Sequence, residues 1–66
     1  MNKIEFEKEM KKALAFDDAE EGAEYFRSVR EKYGAKEFIK AGLEAEMDLV
    51  NKLVDRFKDL LLKKYE

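Results

Sequence analysis

Apolar residues recur at helical spacing along the whole chain, and the pattern is strongest between Phe38 and Tyr65. At about 100° per residue, Phe38, Ile39, Leu43, Met47, Leu49, Val50, Leu53, Val54, Phe57, Leu60, Leu61 and Tyr65 share one half of a helical wheel. Glu44, Asp48, Asn51, Lys52, Asp55, Arg56, Asp59 and Lys63 occupy the other half. This spacing predicts one long amphipathic helix over about 35–64. Only Gly42 interrupts it, at a cost of about 1 kcal/mol relative to alanine. A continuous helix of that length would extend roughly 45 Å. A break at Gly42 would instead give four shorter helices in a compact monomer.

Two shorter helices precede it. The first is predicted over about 3–15, with Asn2 as N-cap and Glu5 three residues on, the arrangement of a capping box. Phe6, Met10, Ala13 and Leu14 form its apolar stripe. Ile4 falls off that stripe, and its alternation with Phe6 leaves an extended first turn as an alternative. The second helix is predicted over about 18–33. Asp17 or Asp18 supplies its cap, and Glu20 and Glu21 favour the positive end of the helix dipole. Its apolar face is Ala19, Gly22, Ala23, Phe26, Val29 and Tyr33, and the small residues among these would admit a second backbone. Gly34 ends it, because glycine takes the backbone conformation of a helix C-terminus without steric cost.

The fold class expected is therefore all-α: a small single-domain helical bundle, two short helices packed on one long C-terminal helix. The short pair would cover about half of the long one. Self-association through the C-terminal helix is the consequence expected, with an interface of Leu43, Glu46, Met47, Val50, Leu53, Val54, Phe57, Leu60 and Leu61. The heptad-like spacing of Val50, Leu53, Phe57 and Leu60 suits either parallel or antiparallel pairing. The alternative is a monomeric inhibitor or adaptor that lays the same helix into a groove of a larger protein.

Composition narrows the remaining readings. At 66 residues the chain has room for one domain, and chains near this size bury only about 60% of their unfolded surface. Cysteine and histidine are absent, which removes disulfides and the usual zinc and haem ligands. Oligomerisation or regular helix packing is left as the source of stability. Charged residues make up 45% of the chain with a net charge of −2, a balance that disfavours non-specific attachment to nucleic acid or anionic membrane. The chain lacks a membrane-length apolar run, and its first ten residues lack a signal-peptide core. A soluble cytoplasmic protein is expected. The bias toward Lys and Glu also resembles that of thermophile proteins and of idealised helical designs.

Glu46 is the one charge within the apolar arc. A buried carboxylate requires a partner, which predicts either a specificity-determining ion pair across an interface, with Arg27 or Arg30 as the basic partner, or a place where the helix emerges from its neighbours. Arg27, Arg30, Lys32, Lys36 and Lys40 surround the Gly34 turn as a candidate basic patch. A nucleic-acid-binding regulator using this patch is the second alternative function, although the helix–turn–helix match is weak, since the segment after the turn begins Ala35-Lys36-Glu37-Phe38 and lacks residues suited to base edges. Asp17, Asp18, Glu20, Glu21 and Glu24 form a candidate acidic contact patch able to mimic phosphates, although helix N-termini gather acids for dipole reasons alone.

Glu44, Glu46 and Asp48 do not share a helix face, and carboxylate-bridged metal bundles also use histidine. No metal or cofactor is expected. Ser28 has no histidine or cysteine to activate it, so no enzymatic activity is expected either. Lys58, Lys63 and Lys64 flank the C-terminal apolar face, but Asp55 and Asp59 oppose anionic lipid. Tyr25, Leu62 and Tyr65 lie at or beyond the edges of their stripes as candidate exposed contacts.

Overall fold

The computed structural model describes the backbone of residues 1–63 and the side chains of residues 1–60. It contains four helices: α1 (Lys3–Ala15), α2 (Ala19–Tyr33), α3 (Ala35–Glu44) and α4 (Met47–Lys63). Their lengths of 13, 15, 10 and 17 residues are similar. The all-helical bundle agrees with the apolar periodicity, and the single long C-terminal helix does not occur. That helix is split into α3 and α4, so its longest piece spans about 25 Å.

Local chemistry accounts for the first two helices. The side chain of Asn2 accepts the Glu5 N–H at 2.8 Å, and the Glu5 carboxylate accepts the Asn2 N–H at 3.2 Å. This closes the capping box and makes the first turn helical, so the extended alternative fails. Asp18 accepts the Glu20 N–H at 2.9 Å and starts α2. Gly34 ends it with φ +88°, a value that an L side chain adopts only under strain. Its N–H reaches the Arg30 carbonyl at 2.9 Å.

The break between α3 and α4 falls at Ala45-Glu46, not at Gly42. Ala45 is extended, with φ −76° and ψ 167°. The freed N–H of Glu46 donates to the Glu7 carboxylate of α1 at 3.2 Å, and the Glu46 carbonyl accepts the first bond of the new helix from Val50 at 3.1 Å. Gly42 lies inside α3 and has a packing role: a Cβ there would stand 3.3 Å from Cζ of Phe6. Bending at Ala45 lets both halves of the former arc reach the same core, which one straight rod could not do.

The core consists of Phe6, Met10, Ala13, Ala23, Val29, Phe38, Ala41, Leu49, Leu53 and Phe57. Phe6, Phe38, Phe26 and Phe57 form a continuous run with centroid separations of 5.2, 5.1 and 6.0 Å. Those are favourable spacings for tilted and edge-to-face rings, and the run joins all four helices. Among the described residues no polar side chain belongs to the buried set. α3 and α4 each pack on α1 and α2, and they make little contact with each other.

Candidate functional site: an apolar groove between the third and fourth helices

Because α3 and α4 pack on a common base and diverge from the Ala45-Glu46 turn, a groove of about 410 Å³ opens between them. Phe6, Phe26, Phe38 and Leu53 form its floor, Ile39, Gly42 and Leu43 one wall, and Val50, Val54 and Lys58 the other. Each wall follows from helical spacing. On α3, Phe38 and Ala41 turn into the core and carry Ile39 and Leu43 round to the outer flank. On α4, Leu49, Leu53 and Phe57 turn inward, which leaves Val50, Val54 and Lys58 along one side.

The rim is unusually apolar. Leu43 is 83% exposed, Ile39 59% and Val54 51%. Single exposed apolar side chains are ordinary, but a contiguous set around a concave floor is characteristic of an interaction site. Ile4 and Met47 are also exposed but do not line this groove.

The anticipated interface residues therefore separate into three groups. Leu43, Met47 and Val54 are exposed, and Val50 is half-buried at the groove wall. Leu53 and Phe57 are buried in the chain's own core, and Leu60 is half-buried against it. The side chain of Leu61 lies outside the described residues, as do Leu62 and Tyr65. Ile39 and Lys58 belong to the groove but not to the anticipated interface. Ile39 was legible on the apolar arc, whereas the position of Lys58 depends on where the helix breaks.

Glu46 differs most from expectation. It is exposed in the α3–α4 connection, and its side chain borders a separate cleft beside Lys11, Asp48 and Lys52. Splitting the helix removed it from the arc, and within the described residues of this chain it makes no ion pair with Arg27 or Arg30. Arg27 instead donates to the Leu60 carbonyl at 3.4 Å. The two ion pairs among the described residues are Met1 ammonium–Glu37 at 3.6 Å and Lys12–Glu9 at 3.5 Å.

The two charged patches are distributed across the surface. Asp17, Asp18, Glu20, Glu21 and Glu24 are all exposed, and Asp18 is engaged as the α2 cap. Arg27 and Arg30 are half-buried on α2. Lys32 stands 5.4 Å from the centre of the Tyr33 ring, while Lys36 and Lys40 are exposed on α3. Ser28 donates to the Tyr25 carbonyl of its own helix at 2.8 Å. Among the described residues no group of three acidic, histidine or cysteine side chains converges on a metal position, and no helix is long and apolar enough to cross a membrane.

Tyr25 has a structural role. It is half-buried, and its hydroxyl donates to the Glu9 carboxylate at 2.5 Å, joining α2 to α1. That hydrogen bond, with burial and the Glu9 charge behind it, pushes the Tyr25 pKa up to about 12. The same bond holds Glu9 below the usual carboxylate value, against the opposing effect of burial.

No protein-family model matches the chain, and neither the curated proteins nor the solved structures gave a match.

Proposed function

We propose that this chain is a non-enzymatic protein-binding module whose α3/α4 groove receives an amphipathic helix from a partner protein. The observation that carries the reading is the divergence of α3 and α4 over an aromatic floor, with Ile39, Leu43 and Val54 exposed around it. Two helices that share a base without packing on each other leave a slot suited to a third. Helix-in-groove recognition uses apolar anchors at three- and four-residue spacing, and the floor offers aliphatic and aromatic surface to receive them.

The split of the C-terminal helix moves the balance from self-association toward a foreign partner. The motive for a dimer was a rod that the first two helices could not cover. With Leu53 and Phe57 inside the core, the apolar surface left over is a local groove and rim rather than a full helical face. Stable protein interfaces bury about 800 Å² per partner, and a single docked helix covers a site of this kind more readily than a second bundle does.

The test is titration with a helical peptide of about 15 residues carrying leucines at helical spacing and glutamine on its flanks. Amide NMR shifts confined to Ile39, Leu43, Val50, Val54 and Lys58, and lost in Leu43→Asp, are expected. Absence of any shift at millimolar peptide overturns the reading. A mass that rises with concentration, and returns to that of a monomer in Leu43→Asp, assigns the groove to a second copy.

A further inference from the structure

The groove carries a charge asymmetry that an apolar partner alone does not explain. Among the described residues Lys58 is the only charged one lining it, and no carboxylate among them lies within ion-pair distance of its ammonium group. Lys36 is exposed on α3 one turn before Ile39 of the opposite wall, just outside the lining residues, so a lysine lies one turn beyond the apolar wall residues on each arm. At 100° per residue, the carboxylates of Glu37 and Glu44 lie about 140–160° round α3 from Ile39, and those of Asp48 and Asp59 about 120–140° round α4 from Val54. Glu37 receives the N-terminal ammonium, and Glu46 and Asp48 border the other cleft, with Lys11 and Lys52. Lys40 and Asp55 point outward from the two arms, about equally far from the groove, and offset each other.

We infer that the occupant is an acidic amphipathic helix, with an apolar stripe on Ile39, Leu43, Val50 and Val54 and a row of Asp or Glu meeting Lys36 and Lys58. This inference rests on the groove reading and adds the partner's chemistry to it. A second copy brings the same lysines to the same face, whereas a foreign acidic helix brings their complement. Rim charges of this kind set partner choice and association rate more than total affinity.

Three peptides with one leucine stripe and flanks of Glu, Gln or Lys test it by fluorescence anisotropy. The Glu peptide is expected to bind about tenfold more tightly than the Lys peptide at low salt. That gap closes as the Debye length shrinks toward about 3 Å in 1 M salt. The double variant Lys36→Glu/Lys58→Glu, its fold checked by circular dichroism, is expected to invert the order. Equal affinity of all three peptides overturns the acidic preference and leaves the groove standing. A preference for Glu that survives the double variant also overturns it, because the charge is then read elsewhere. If none of the three binds, the groove reading fails and this inference fails with it.

Discussion

Gly22 of α2 lies against the ring of Phe57 of α4 so closely that a Cβ at position 22 would stand 2.9 Å from Cζ of Phe57 and 2.6 Å from the Ala13 carbonyl oxygen of α1. Three helices meet at that point, and only the absence of a side chain permits it. Phe57 is fully buried there and forms one end of the phenylalanine run that connects the bundle.

Gly22→Ala should therefore destabilise the protein by about 1–3 kcal/mol through overpacking, even though alanine is the better helix former by about 1 kcal/mol. Gly42→Ala is the matched comparison. Its Cβ would meet the Phe6 ring at 3.3 Å, where a small ring movement suffices, and a change within about 0.5 kcal/mol is expected. Urea denaturation of both variants measures the difference. A Gly22→Ala protein as stable as the parent contradicts the close three-helix junction.

Arg56 fastens α4 to the α1–α2 turn. One guanidinium nitrogen donates to the Phe16 carbonyl at 2.6 Å and to the Asp17 carbonyl at 3.2 Å, satisfying oxygens left without partners where α1 ends. Arg56→Met keeps much of the stem and removes both bonds. A loss of about 1–3 kcal/mol is expected, most of it from the part-buried bond to Phe16, since the bond to Asp17 is exposed. Thermal or urea unfolding checks it, and an unchanged midpoint contradicts the role.

The Tyr25–Glu9 bond makes stability depend on pH at both ends of the scale. Glu9 has a folded pKa below its ordinary 4.5, so its contribution is fully present above that value and is lost as pH falls through the folded pKa. Tyr25 has a folded pKa raised from 10.0 to about 12. Between those values the native state holds a proton that the unfolded state releases, so stability falls as pH rises from about 10 to about 12. Tyr25→Phe should flatten both limbs and lower mid-range stability by about 1–2 kcal/mol. Unfolding midpoints measured from pH 3 to pH 11 test this, and a variant with the parent's pH profile contradicts it.

Residues of one apolar arc should respond in opposite ways to mutation. Phe57→Ala should cost about 3–5 kcal/mol, as expected for a buried aromatic. Leu43→Ser should leave stability within about 0.5 kcal/mol while abolishing peptide binding. Paired denaturation and titration measurements separate the two, and a Leu43→Ser protein that unfolds as readily as Phe57→Ala contradicts the exposed groove.

Much of the bundle is legible in the residues themselves. Asn2 with Glu5, Asp18 with Glu20, and Gly34 are short-range signals whose hydrogen bonds form within a few positions, so they mark helix ends without reference to the rest of the chain. Apolar spacing likewise turns Phe6, Met10 and Phe38 inward, because helical periodicity is local too, and Phe26 and Tyr33 pack half-buried against that core. The small residues Gly22 and Ala23 indicated a close backbone approach, and the structure supplies it from within the same chain.

The break at Ala45-Glu46 was not legible, and it decides the candidate site. Alanine and glutamate are good helix formers, and the one conspicuous interruption nearby, Gly42, fills a packing role against Phe6. What holds the turn open is the Glu7 carboxylate accepting the Glu46 N–H across 39 positions of sequence, together with a core that both halves of the arc can enter only if the chain bends. Local propensity cannot contain that contact, since it exists only once α1 lies beside α3 and α4. The sequence by itself determined three well-marked apolar faces and most of the helix ends. The tertiary structure decided which part of the apolar arc became core, which part lines a groove, and where Lys58 came to stand beside it.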